Sequence, residues 1–196
     1  MGLERVERLQ KEYNVEVEWK AFELRPDTPP EGIPRPFKPG ESNELRGHMK
    51  EAADEAGLVY MRRQPITPYC RPSMEAAVYA REMGKFDGYH KATFKAFWEE
   101  SKNIGDPEVI KGIFEKCDLD WEGFSSPEKN AQYAQMVEDQ LAEARMYGIT
   151  GVPAFILDKY LVVGAQPYQV FQQVMAHIEK EKALKGLWLP GQGAGQ

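Results

Sequence analysis

Apolar and polar positions follow two different periodicities near the amino end of the chain, and each periodicity predicts one element of secondary structure. Apolar residues recur at helical spacing over residues 2–14, which predicts a short amphipathic helix. Its charged positions, Arg5 among them, are interpreted as a solvated helix face. Residues 15–22 then alternate between polar and apolar side chains until Ala21-Phe22, which predicts the clearest strand of the sequence.

The middle of the chain contains a proline-rich segment followed by a long region with helical patterns. Residues 25–40 hold six of the 14 prolines, a density that favours an extended linker over helix interior or central strand. From Asn43 to Tyr147 only helical signals occur, with helix starts predicted at Ser73, Asp106 and Ser126.

The carboxyl-terminal part returns to strand patterns after Gly148. Residues 154–157 and 160–164 are apolar runs separated by Asp158-Lys159, which predicts a hairpin of two short strands, and a helix is predicted to follow from Gln166-Pro167. Strands separated by helices indicate an α/β fold. The predicted division is a core at 1–27 and 148–189, an inserted helical domain at 28–147, and a disordered tail at 190–196.

Composition narrows the chemistry. The chain has 196 residues and a net charge of −6, which disfavours a general nucleic-acid binder. Cys70 and Cys117 lie 47 residues apart, so no Cys-x-x-Cys or zinc-finger spacing is present. Both are interpreted as free thiols without a special role, and for Cys70 a partly activated thiol near the cleft is the alternative. No secretory signal or membrane-spanning run is visible, which predicts a cytoplasmic protein without a membrane partner.

Several segments carry a family resemblance. Residues 150–155, Thr-Gly-Val-Pro-Ala-Phe, lead directly into the predicted hairpin and resemble the loop of thioredoxin-fold proteins in which the proline peptide is cis. Residues 17–26 resemble the second core strand of the DsbA-like family, in particular its FrnE-like cytoplasmic branch. The resemblance extends over roughly residues 2–180, and its other segments are 79–85, 90–98, 103–107 and 164–167.

The resemblance implies a fold and an activity. The expected fold is a thioredoxin-like core with an inserted all-helical domain, and the expected activity is that of a protein thiol–disulfide oxidoreductase. Thr150, Val152 and Pro153 are the expected substrate-binding residues. The expected partner is a protein or peptide thiol or disulfide, with glutathione as a second candidate. No cofactor, metal, nucleic acid or membrane is expected.

The sequence departs from the family at its amino end. Thiol–disulfide exchange needs a Cys-x-x-Cys pair at the start of the first core helix, and Met1-Gly2-Leu3 aligns with the residues that follow that pair. We therefore expect the first core strand and the cysteine pair upstream of Met1, and no dithiol exchange by the chain as given. The strand edges left open predict either that this chain is less stable than a longer version or that it forms a homodimer through the gap.

Two other functions stay open at this point. One is a glutathione-dependent isomerase or kappa-class transferase, a related branch with helices inserted into the same core. The other is a non-catalytic module that binds peptides at the edge beside Pro153. Residues 164–167, Gly-Ala-Gln-Pro, favour the oxidoreductase branch over the first of these.

Overall fold

The computed structural model describes residues 2–187, so the disordered tail predicted at 190–196 lies outside the described residues. The described chain contains eight helices and four strands, as expected for a mixed α/β protein, and five of the helices follow one another without an intervening strand. The helices are α1 (Gly2–Glu12), α2 (Gly47–Glu55), α3 (Arg71–Glu82), α4 (Phe86–Trp98), α5 (Pro107–Lys116), α6 (Trp121–Ser125), α7 (Pro127–Met146) and α8 (Tyr168–Leu187). The strands are β1 (Ile33–Pro34), β2 (Ile66–Thr67), β3 (Ala154–Leu157) and β4 (Tyr160–Val163).

The chain forms two compact units. The first contains the described residues of 1–17 and 151–196, and the second contains residues 18–150. The sequence predicts the two junctions near 27 and 148 instead. The first unit is therefore built from two distant stretches of chain, as expected when a helical domain is inserted into an α/β core.

The first unit packs α1 and α8 against the hairpin of β3 and β4. Phe171 of α8 is fully buried, and its ring meets that of Phe155 edge-on at 4.8 Å between centroids. Leu9 of α1 and Val162 of β4 complete the apolar contact. The hairpin matches its prediction: Phe155 pairs with Val162, and a two-residue turn joins the strands, with Asp158 at a positive φ of 56°.

The second unit is built around an aromatic core made by α3, α4, α5, α6 and α7. Phe114 of α5 is fully buried, and it stacks on Tyr79 of α3 with an angle of 8° between the ring planes. Trp121 meets the Phe114 ring edge-on, and Tyr133 of α7 meets the Tyr79 ring edge-on. Aromatic residues supply large buried areas, so these rings dominate the apolar packing of the helical unit.

The predicted strand over residues 15–22 is wrong. Side-chain exposure still alternates there, with Val15 and Val17 half-buried and Glu16 and Glu18 exposed, but no strand forms. A strand needs a neighbouring strand to accept its ladder hydrogen bonds, and none of the described strands pairs with this segment. The alternation correctly predicts which side chains are less exposed. Strand hydrogen bonds also require a neighbouring strand, which the alternation does not predict.

Side chains of the helical unit satisfy the backbone of this segment instead. The Ala21 N–H donates to Oε1 of Gln140 at 2.7 Å, and the Arg81 guanidinium donates to the Trp19 carbonyl. Two residues further on, Glu23 pairs with Arg71 at 3.0 Å. These contacts explain why the unit boundary falls after Val17 rather than near residue 27.

The proline-rich segment is less irregular than predicted. Ile33 and Pro34 form β1, which pairs antiparallel with β2, so strand structure occurs inside the region predicted as linker and helix. Gly32 allows the approach, because its φ is 77° and a Cβ there would lie 2.9 Å from the Thr67 carbonyl oxygen.

Helix starts follow the predicted signals in part. Asp106 caps α5 as expected, accepting a hydrogen bond from the Glu108 N–H at 2.9 Å, with Pro107 at the first helical position. The predicted cap at Ser73 is wrong, because α3 begins at Arg71 and the Ser73 hydroxyl donates to the Cys70 carbonyl at 2.8 Å. None of the helices within residues 2–187 is long and apolar enough to cross a bilayer.

Candidate functional site

The loop that enters β3 holds the strongest site candidate. The peptide bond between Val152 and Pro153 is cis, as the sequence predicts. The Pro153 carbonyl accepts a hydrogen bond from the Gly164 N–H at 2.7 Å, so the loop is tied to the residue that follows β4. The Val152 side chain is 52% exposed. The start of β3 is therefore fixed on its β4 side and open at Val152.

The register of the hairpin determines which main-chain groups face away from β4. In an antiparallel pair, directly opposed residues alternate between hydrogen-bonded and non-hydrogen-bonded pairs. Because Gly164 bonds to Pro153, the Phe155–Val162 pair is also hydrogen-bonded, and the backbone groups of Ala154 and Ile156 point to the other edge. That edge has no strand beside it within the described chain.

Val152 continues this open edge at its amino end. No backbone hydrogen bond within residues 2–187 engages its N–H or its carbonyl. An open strand edge with free N–H and C=O groups is a template for an extended peptide. Thr150, the third predicted binding residue, is the last residue of the helical unit, so the first unit contains only Val152 and Pro153 of that set.

Helix α1 begins directly against the proline. A Cβ on Gly2 would lie 3.2 Å from the Pro153 Cβ and 3.8 Å from the Phe155 ring. A side chain at residue 2 would therefore press on the proline ring, and glycine allows the close approach.

The two cysteines lie in the helical unit and are free thiols. Cys70 directly precedes α3, where its Sγ lies 3.5 Å from the Pro68 carbonyl oxygen. Burial, assisted by the nearby Glu23 carboxylate, raises the pKa of Cys70 to about 11. Burial also raises the pKa of Cys117, which ends α5. Since the thiolate is the nucleophile in exchange, neither cysteine is prepared for redox chemistry at neutral pH.

We predict that Cys70 reacts slowly with alkylating reagents. Raising the pKa from 9.0 to about 11 lowers the thiolate fraction at pH 8 about a hundredfold. In a Cys117→Ser variant, which leaves Cys70 as the reacting thiol, the thiolate fractions alone predict that iodoacetamide at pH 8 modifies the protein roughly two hundredfold more slowly than free cysteine, whose pKa is about 8.5. The rate should still be rising at pH 10. A Cys70→Ser variant reports Cys117 separately, and a plateau for Cys70 below pH 8 would contradict the prediction.

A second cluster in the helical unit was not predicted from the sequence. The His90 imidazole lies among three rings, 4.7 Å from Trp19, 5.2 Å from Phe86 and 4.5 Å from Phe94 between centroids. Burial lowers the pKa of His90, so the ring is neutral at physiological pH. Phe86, His90 and Phe94 repeat at i, i+4 and i+8, and this spacing could have revealed the shared helix face.

The described residues include no group of three His, Cys, Asp or Glu side chains that could hold a metal ion. The ring contacts of His90 are aromatic, and through Trp19 they join the extended segment after α1 to α4. His90 therefore has a packing role here rather than a place among metal ligands.

Arg5 is a residue of α1 that the sequence pattern misplaced. The charged face of α1 predicts it in solvent, yet Arg5 is only 5% exposed. Its Nε donates to the Gln166 carbonyl at 3.1 Å, and its guanidinium pairs with Glu4. A helical wheel cannot distinguish a solvated arginine from one that reaches a carbonyl in a distant loop.

Two solved structures share this fold over most of the chain. A probable DsbA oxidoreductase from Streptomyces coelicolor is 25% identical, with a TM-score of 0.72, and the match covers 98% of this chain and 87% of the other. A 2-hydroxychromene-2-carboxylate isomerase is 16% identical, with a TM-score of 0.60, covering 93% and 90%. The fold is therefore a thioredoxin fold with an inserted helical unit.

The family follows from the sequence comparison. The DSBA-like thioredoxin domain model matches residues 1–176, and the chain belongs to this family. An uncharacterised protein of Bacillus subtilis (strain 168), YwbO, is 29% identical over 184 residues, which cover 93% of this chain and 92% of that protein. Membership supports a role as a thiol–disulfide oxidoreductase or as a related isomerase or transferase.

Proposed function

We propose that this protein is a thiol–disulfide oxidoreductase of the DsbA-like family, and that its described residues supply the substrate-binding edge of the site. The substrate is a protein or peptide thiol or disulfide in an extended conformation. It pairs with the main chain of Val152 beside Pro153. The assignment to the FrnE-like cytoplasmic branch rests on the sequence resemblance alone.

The open main chain at Val152 carries the proposal. An exchange reaction needs the substrate sulfur to be held in line with an attacking thiolate. Main-chain pairing can orient an extended substrate without requiring a particular side chain. The exposed Val152, at the amino end of β3, offers such pairing, while the Gly164–Pro153 hydrogen bond holds the loop from the other side.

The exchange step itself requires a cysteine pair that these 196 residues do not contain. Cys70 and Cys117 are separated by 47 residues and both have raised pKa values. The role proposed for the described residues is therefore to bind and orient the substrate. Electron transfer belongs to a dithiol of the Cys-x-x-Cys type, as in the resemblance described above.

We predict that peptide binding depends on the peptide's own main chain. The probe is a synthetic peptide of alternating threonine and valine, titrated into isotope-labelled protein. We expect the largest NMR shift at the Val152 N–H, and we expect at least tenfold weaker binding when every peptide amide is N-methylated, because methylation removes the donors of the ladder.

The control variant for this experiment is Val152→Thr, which changes the side chain and keeps the N–H and the carbonyl. Its affinity for the unmethylated peptide should remain within twofold of the wild type. Equal binding of both peptides, or shifts centred away from residues 151–156, would refute main-chain recognition at this loop.

An insulin-reduction assay tests the redox part of the proposal separately. These 196 residues contain no Cys-x-x-Cys pair, so they should not accelerate the reaction. A glutathione-transfer assay on the same protein is the measurement for the isomerase or transferase alternative. Peptide binding without either activity would support the non-catalytic module.

A further inference from the structure

We propose that Arg5 is a positioning residue for the loop of Val152 and Pro153. Its functional meaning rests on the function proposed above, while its structural part can be tested without a substrate. Arg5 reaches the loop through a short series of hydrogen bonds that runs from α1 through residues 163–166 to the Pro153 carbonyl.

Burial is the first step of the argument. Arg5 is 5% exposed, whereas the side chain of Arg8, one turn later on the same helix, is 45% exposed. Burying a guanidinium is costly unless its N–H groups are hydrogen-bonded and its charge is paired. Arg5 meets both conditions, because Nε donates to the Gln166 carbonyl and the guanidinium pairs with the Glu4 carboxylate.

The second step follows the loop that receives this hydrogen bond. Gln166 accepts the Arg5 hydrogen bond at its main-chain carbonyl, and its side-chain Nε2 donates to the Val163 carbonyl at 2.9 Å. Between these two points, the Gly164 N–H donates to the Pro153 carbonyl at 2.7 Å, and Gly164 has a φ of 85°. The connection between β4 and α8 is therefore held at its end by Arg5 and bonded at Gly164 to the cis-proline residue.

The third step is that α1 approaches Pro153 by two routes. The Gly2 backbone lies against the proline ring, because a Cβ added at residue 2 would lie 3.2 Å from the Pro153 Cβ. Arg5, three residues later, holds the loop whose Gly164 bonds to the Pro153 carbonyl. Helix α1 therefore contacts the Pro153 ring directly through Gly2, and it is linked to the Pro153 carbonyl through Arg5, the 163–166 loop and Gly164.

Arginine is chemically suited to this task in a way that lysine is not. The guanidinium is planar, and its Nε donates along a different direction from its terminal nitrogens, so one side chain can bond a carbonyl and a carboxylate at once. A lysine ammonium carries its donors on one atom. Arg5→Lys keeps the charge and is expected to lose the simultaneous contact with Gln166 and Glu4.

Amide hydrogen exchange of single residues, measured by NMR, tests the positioning role. In Arg5→Lys and Arg5→Gln we expect the Gly164 N–H to exchange at least tenfold faster. The N–H of Met175, in the second turn of α8 and 8% exposed, reports the stability of the unit and should change by less than twofold. Lys11→Gln removes an exposed positive charge from the same helix and should leave Gly164 unchanged.

If Arg5→Gln alone does not fold, the double variant Glu4→Gln/Arg5→Gln removes both charges of the pair, so the partly buried Glu4 carboxylate does not lose its Arg5 partner while still charged. Unchanged Gly164 exchange in the folded variants would overturn the inference. Equal acceleration at Gly164 and Met175 would also overturn it, because Arg5 would then act on overall stability.

Titration with the threonine–valine peptide completes the test. Arg5→Lys should bind at least threefold more weakly than the wild type, and Lys11→Gln should bind equally well. If the wild type does not bind, the proposed function fails, and the exchange measurement still decides the structural role of Arg5. If the wild type binds and Arg5→Lys binds with the same affinity, the positioning role is refuted.

Discussion

Replacing Phe114 by alanine should lower the free energy of unfolding by about 3–5 kcal/mol. The Phe114 ring is fully buried in the helical unit, with centroids 5.1 Å from Phe124, 5.5 Å from Trp121 and 5.7 Å from Tyr79. Truncation removes the ring's burial and leaves a cavity between helices that cannot close fully around it. Urea unfolding followed by circular dichroism measures the loss.

Phe94→Ala is the matched control for this change. Phe94 belongs to α4 of the same unit but is 46% exposed, so its truncation should cost about 1 kcal/mol or less. Similar losses for Phe114→Ala and Phe94→Ala would show that the aromatic core is not the main source of stability in this unit.

Gly105→Ala should be the second most damaging of the substitutions considered. A Cβ on Gly105 would lie 2.4 Å from the Tyr69 carbonyl oxygen and 3.2 Å from its carbonyl carbon. Both atoms are backbone, so the conflict cannot be relieved by a side-chain rotation. We expect a loss of about 1–3 kcal/mol in the free energy of unfolding, since backbone must shift to accommodate the methyl group.

Gly112→Ala provides a control of opposite sign. Gly112 lies inside α5, and a Cβ there would meet nothing within 4 Å. Alanine should therefore stabilise the protein by about 0.5–1 kcal/mol through helix propensity alone. The same urea measurement checks both, and a stabilising Gly105→Ala would contradict the close approach of residue 105 to Tyr69.

Local patterns predicted the parts of the fold that local physics determines. Asp106-Pro107 predicted the start of α5, and two apolar runs around Asp158-Lys159 predicted the hairpin, because caps and tight turns depend on neighbouring residues. The cis peptide at Pro153 followed from resemblance to a family rather than from the pattern.

Features that depend on a distant partner were not predictable in the same way. Residues 15–22 have the alternation of a strand, but a ladder requires a second strand, and side chains of the helical unit take over part of its hydrogen bonding. Arg5 was assigned to a solvated face, because nothing in the sequence of α1 reveals a carbonyl at residue 166, 161 residues away. The burial of Cys70 depends equally on tertiary packing.

The open edge of β3 has a consequence for how this site can change over time. Its donors and acceptors at Ala154 and Ile156 are peptide groups, which every amino acid except proline supplies in full. Ordinary replacements at these two positions therefore preserve the geometry of the edge, and proline alone deletes a donor from it. An edge that binds an extended partner through such groups keeps its pairing geometry when its exposed side chains change.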